Sequence, residues 1–252
     1  MSFVTNQIHA ASAETQVEWV QRIVDLITGI DSRITCNTTA AEQYADDADT
    51  ATFDFNINDE FVLRFTRNAV NGSNTNGFAI SLIVNETEYI VLANTRMWYT
   101  SGTGSTAVTN GYFKVSAFLS EDNIFLWFGF HHDNEISDLL PSKFGVAMIA
   151  DENNITYCGA ISASNDFGGV SLYKCEDGAS GFSFVKPLNY TESVGNISII
   201  DNCFNPIASS GTLGTFAKGL IACSTVAAGS SMVIEGKTYF AISTNILEEV
   251  SV

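Results

Sequence analysis

Apolar residues recur every three to four positions in one early stretch of the chain and every second position in much of the rest. Val17, Val20, Ile23, Val24 and Ile27 fall on one stripe of a helix expected over residues 14–28, and Trp19 and Leu26 widen that stripe. Ser12 is expected to cap this helix, Glu14 and Glu18 place negative charge at its positive end, and Gly29 is expected to end it in a left-handed conformation. So wide a stripe needs cover, either from the chain's own strands or from a neighbouring subunit.

After Asp31 the period shortens to two. Phe53, Phe55 and Ile57 alternate with Asp54, Asn56 and Asn58, and Phe61, Leu63 and Phe65 alternate with Val62, Arg64 and Thr66. Each set reads as a strand with one apolar face, which predicts that Phe53, Phe55, Ile57, Leu63 and Phe65 point inward. Hairpins are expected where apolar runs flank short polar stretches at residues 85–88, 120–123, 151–154 and 235–236, the last with Gly236 at positive φ. Strands and turns at this spacing predict a mainly β protein, an antiparallel β-sandwich or barrel-like domain with one N-terminal amphipathic α-helix. The expected organisation is a polar tail and helix over residues 1–35 and a β-rich domain over 36–252, with a weak subdivision near 136–143. The stretches 68–76, 101–110 and 209–215, rich in Gly, Ser, Thr and Asn, read as exposed loops or, for the last, a linker.

Charge sharpens the picture. The 252 residues include 28 acidic and 11 basic side chains, a formal net charge of −17. Such a field repels phosphate backbones and anionic lipids, and the basic residues are scattered, so neither nucleic acid nor a membrane surface is an expected partner. No apolar run reaches the roughly 18 residues of a membrane-crossing helix. Residues 1–16 have neither a basic region nor a continuous apolar one, so no secretory leader is expected. The five cysteines, Cys36, Cys158, Cys175, Cys203 and Cys223, are odd in number and widely spaced, and read as reduced thiols.

Candidate chemistry is sparse. His131-His132-Asp133-Asn134-Glu135 combines imidazole with carboxylate, as a metal or acid–base site would. Neighbouring strand residues point to opposite faces, however, so a polar strand end is the competing reading. Asp46-Asp47-Ala48-Asp49 is an acidic run without calcium-loop spacing, since Thr52 and Asn58 stand where glycine and glutamate are required from Asp47. No phosphate-binding loop and no Gly-x-Ser-x-Gly elbow is present. The expectation is therefore a protein that is not an enzyme, with no metal and no cofactor. A hydrolase whose carboxylates meet only in three dimensions is the least favoured reading. Aromatic residues carry the candidate contacts. Trp98 and Tyr99, beside the 101–110 loop, could form a sugar-stacking or protein-contact platform. Trp127 lies in the run Ile124 to Phe128, apolar on both faces, which marks a central strand or one covered by another subunit. With Trp19, Ile23 and Ile27 of the helix, these are the candidate interaction residues.

Three features together resemble bacteriophage or prophage virion proteins of the tail, baseplate or collar type. They are the polar start followed by an apolar helix, the long Asn/Thr-rich β region poor in Lys and Pro, and the closing hairpin from Met232 to Ile242. The resemblance is one of overall style. It implies a non-enzymatic structural protein in the virion, made in the host cytoplasm and partnered by copies of itself and other virion proteins. The alternative is a β-sandwich carbohydrate- or host-receptor-binding module.

Overall fold

The structure, a computed structural model, describes residues 2–46, 51–69, 75–93, 95–100, 107–132, 144–162, 171–184, 192–194, 197–200, 206–208, 220–223, 230–234, 236–243 and 246–250. In chain order the elements begin with β1 (Ser2–His9), β2 (Glu14–Thr15), α1 (Gln16–Thr28), β3 (Ile34–Cys36), α2 (Ala40–Asp46), β4 (Thr52–Ile57), β5 (Phe61–Ala69) and β6 (Thr75–Val84). Next come β7 (Thr87–Leu92), β8 (Trp98–Thr100), β9 (Ala107–Leu119), β10 (Ile124–His131), β11 (Phe144–Ala150), β12 (Thr156–Ser162), β13 (Ser171–Lys174) and β14 (Ser180–Phe184). The last are β15 (Glu192–Val194), β16 (Ile197–Ile200), β17 (Pro206–Ala208), β18 (Leu220–Cys223), β19 (Ser231–Ile234), β20 (Lys237–Ser243) and β21 (Ile246–Val250). The protein is mainly β and its ladders are antiparallel, as expected. Among the described residues, no helix is long and apolar enough to cross a membrane.

The chain divides into two compact units. One contains Thr5–Ser116 and Phe128–Pro141, and the other Met1–Val4, Ala117–Trp127 and Ser142–Val252. Helix α1 shares a unit with β3 to β8. The expected subdivision near 136–143 lies outside the described residues.

In the first unit the strand order is β8-β6-β5-β4-β3, with β7 also paired to β6. The β4–β5 register places Phe53 opposite Phe65 and Phe55 opposite Leu63. Phe53, Phe55, Ile57, Leu63 and Phe65 are all buried, so the period-two reading gave the correct face. Phe65 touches three rings, Phe55 at 5.3 Å, Phe78 at 5.4 Å and Phe128 at 5.8 Å between centroids. Asn58 and Asp59 turn the chain at φ 52° and 58°, and the Asn56 side chain accepts from the Asp59 N–H at 3.0 Å. The β6–β7 loop is shorter than expected. Val84 pairs with Thr87, and only Asn85 (φ 45°) and Glu86 (φ 65°) lie between them. Two left-handed residues make a type I′ turn, whose twist matches that of the strands, so Thr87 and Glu88 join the ladder.

Both ends of α1 differ from expectation. The cap is Thr15, not Ser12. Its hydroxyl accepts from the Glu18 N–H at 3.2 Å, and the Glu18 carboxylate accepts from the Thr15 N–H at 2.9 Å. This capping box satisfies two orphan helix donors. At the other end Gly29 is right-handed, with φ −74°. Glycine is needed there for space, because a Cβ would stand 2.9 Å from the Asp25 carbonyl oxygen. Neither β1 nor α2 was among the expected elements. The polar start forms β1, and α2 is a second helix capped by Thr39 and Glu42 in the same reciprocal way. The 68–76 and 101–110 stretches are partly strand, supplying the ends of β5 and β6 and the start of β9. Their central residues, and the whole of 209–215, lie outside the described residues.

In the second unit β11, β12, β13, β14 and β17 are successive neighbours. A further sheet has the order β15-β16-β18-β21-β20-β19. Its core is Ile234, Tyr239, Ala241 and Leu247, with Met232 packed against it. The expected closing hairpin is present, with Ile234 opposite Lys237 and Gly236 at φ 81°. Cys158 and Cys175 are buried and Cys36 is half-buried, and none of the three is in a disulfide.

Candidate functional site

The candidate interaction residues are placed mostly inside. Trp19, Ile23 and Ile27 are buried, so the helix stripe is covered within the chain itself. Gly111 of β9 makes room for this packing, since a Cβ there would lie 3.0 Å from both the Trp19 ring and the Trp98 side chain. Trp98 is buried as well, edge-on to Phe78 at 5.4 Å, and Trp127 is buried in β10. The Trp98–Tyr99 platform therefore does not form as a pair. Adjacent strand residues face opposite ways, which sends Trp98 to the core and leaves Tyr99 half-exposed.

Tyr99 instead meets His132, with ring centroids 4.8 Å apart, and His131 stacks on His132 at 4.8 Å. The rings come together because β10 ends at His131 and the alternation ends with it, which agrees with the polar strand end weighed against a metal site. Asp133, Asn134 and Glu135 lie outside the described residues, as do Asp47 to Asp49. Asp46 ends α2. Among the described residues no group of three or more His, Cys, Asp or Glu side chains is placed to hold a metal ion.

Three further polar clusters surround the first unit's core. The nearly buried Glu14 carboxylate accepts from Arg22 Nη1 at 2.8 and 2.9 Å and from the Ala11 N–H at 2.8 Å. The Arg22 guanidinium also lies 5.7 Å from the Trp19 ring. An open groove runs beside it, lined by Ala13, Val17, Gln21 and Ala41. Gln21 bridges its rim, accepting from the Ala40 N–H and donating to Asp25, both at 2.8 Å. These groups are occupied in holding α1 to its surroundings.

The second cluster joins α2 to β5. The Arg67 guanidinium lies 5.4 Å from the Tyr44 ring and donates to Gln16 at 3.1 Å and Asn76 at 3.3 Å. The Tyr44 hydroxyl is buried without a hydrogen-bond partner. Burial pushes its pKa up to about 12, against the opposing pull of the Arg67 charge. The third cluster lies on the outer face of β4 to β7. There Arg64 donates twice to Asp54 at 2.7 Å, and Ser81 donates to Glu88.

Apolar exposure occurs elsewhere. Among the described residues the large hydrophobic side chains that stand in solvent are Ile90, 75% exposed, and Val233, 65% exposed. Both lie on sheet edges. β7 pairs with β6 and with no other described strand, and β19 ends its sheet beside β20. Sequence reasoning missed these positions because 89–93 and 232–234 read as ordinary apolar strands. Only pairing order distinguishes an edge from a centre.

Against protein-family models, curated proteins and solved structures, the chain gives no match.

Proposed function

We propose that the chain is a non-enzymatic structural protein of a phage or prophage virion, of tail, baseplate or collar type, which assembles with copies of itself or with neighbouring virion proteins. The observation that carries this reading is the coincidence of exposed aliphatic side chains with strand edges that no other described strand pairs, at Ile90 on β7 and Val233 on β19. An open edge is a template for another strand, and globular proteins usually blunt or cover theirs. The polar clusters add support, since their side chains hold helices and strands together and form no convergent reactive set. The net charge of −17 favours protein partners over nucleic acid.

The second reading, a carbohydrate- or host-receptor-binding module, retains Tyr99 beside His132 as a half-exposed aromatic corner. It loses Trp98, which the core takes.

Quantitative mass spectrometry of gradient-purified virions from the source phage or induced prophage tests the proposal. Recovery in fixed ratio to the major structural proteins is the expected result. Absence from washed virions overturns it. Saturable binding of the free chain to a glycan array, together with that absence, would promote the second reading.

A further inference from the structure

We infer that β7 is a self-pairing edge, through which two copies of the chain join antiparallel across a two-fold axis. This inference rests on the assembly reading above and specifies the surface that would carry it. The backbone of β7 is built for such pairing. In a two-residue hairpin the pair flanking the turn, here Val84 and Thr87, exchanges both its hydrogen bonds. Antiparallel pairs alternate, so Leu82–Tyr89 is bonded likewise, whereas Glu88 and Ile90 turn their N–H and C=O groups away from β6. The open side of β7 therefore offers donor and acceptor at two residues separated by one. An edge of that kind is complementary to itself. Glu88 can exchange both bonds with Ile90 of the partner subunit, while Tyr89 lies opposite Tyr89 of the partner subunit.

Side chains and charge agree with this register. Ile90 shares the outer face with Ser81 and Arg64, and its exposed side chain gains cover from the added strand. The one charged residue of β7, Glu88, is drawn back toward β6 by Ser81 and stands opposite an isoleucine, so no like charges face each other directly. The pairing shifts register between Ile80 and Ser81, so the clean ladder ends at Ile90 and the interface is short. A short edge gives a weak dimer, with a dissociation constant of about 1–100 µM. Two copies of a strongly acidic chain repel at long range, so association should strengthen as salt screens them.

Sedimentation velocity on the full chain, over a concentration series at low and at high NaCl, tests the inference. A dimer that tightens with salt is the expected result. A strictly monomeric chain under all these conditions, or association that weakens with salt, overturns it. Ile90→Glu places carboxylates opposite each other twice and should weaken the dimer at least tenfold, with circular dichroism unchanged. The double variant Glu88→Lys with Ile90→Glu makes both facing pairs opposite in charge and should restore the dimer. Loss that the double variant does not rescue overturns the proposed register. A dimer that survives Ile90→Glu but fails on Val233→Glu overturns the assignment to β7. The two readings fail separately. A chain present in virions whose Ile90→Glu variant dimerises normally removes this inference and leaves the structural role standing, whereas absence from virions removes that role whatever β7 does.

Discussion

Strands β5 and β7 lie on either side of β6, and their sequences invert their surroundings. β5 carries Arg64, Thr66 and Arg67 among its apolar residues, yet Phe61, Leu63 and Phe65 are buried, Phe65 among three other rings. β7 ends in the continuous run Tyr89-Ile90-Val91-Leu92, yet none of its residues is fully buried. The difference lies in neighbours. β5 is hydrogen-bonded on both sides, to β4 and β6, whereas β7 has β6 alone among the described strands. Alternation reports a strand with one dry face. A continuous apolar run reports a strand that needs cover on both faces, without saying whether the chain supplies it. β10 has the same kind of run, and there the residues from Ile124 to Phe130 are all buried.

The largest expected effect is on the β5 side. Phe65→Ala removes a ring that touches three others and should cost about 3–5 kcal/mol, read from urea denaturation. A variant as stable as the parent would show β5 to be no more buried in effect than β7.

Next is the pH dependence set by Tyr44, packed against Arg67 at the end of β5. Its folded pKa is raised from 10 to about 12, so folding favours the protonated phenol. The stability this gives is whole below pH 10 and is lost as pH rises through 12. The shift of about two pKa units corresponds to about 2–3 kcal/mol over that window. Tyr44→Phe should flatten the alkaline limb of a stability-against-pH curve and leave pH 7 stability nearly unchanged, because it removes a buried hydroxyl that has no partner. An unchanged alkaline limb would place the phenol in solvent.

A smaller gain is expected at the β7 turn. Glu86 sits at φ 65°, where glycine carries no Cβ penalty, so Glu86→Gly should raise stability by about 1 kcal/mol in thermal melts. Destabilisation would argue against the type I′ turn and with it the register of the edge.

The smallest effect sharpens the contrast most. Ile90→Thr keeps β propensity while removing exposed apolar surface, and should change monomer stability by less than about 0.5 kcal/mol at dilute concentration. A cost comparable to that of Phe65→Ala would mean that Ile90 is core and β7 is no edge.

Sequence alone determined whatever depends on local periodicity and local chemistry. The inward face of β4 and β5, the helical stripe of α1, the closing hairpin with Gly236 and the mainly β antiparallel class are of this kind, because a side chain's direction within one element follows from spacing. Two more features carry a local signature. Thr15 to Glu18 and Thr39 to Glu42 both carry the Thr-x-x-Glu spacing of a capping box, which marks the true start of α1 and the existence of α2. Tertiary structure decided which elements become neighbours. Pairing order placed Trp98 in the core and left Tyr99 near the surface, brought the His131 and His132 rings together where β10 ends, and gathered Glu14 with Arg22 and Tyr44 with Arg67. It also decided that Ile90 stands in water while Phe128, in an equally apolar run, does not. The physical reason is that burial belongs to a pair of surfaces. One strand's sequence specifies only its own surface, and whether another strand comes to cover it is settled by contacts between residues far apart in the chain.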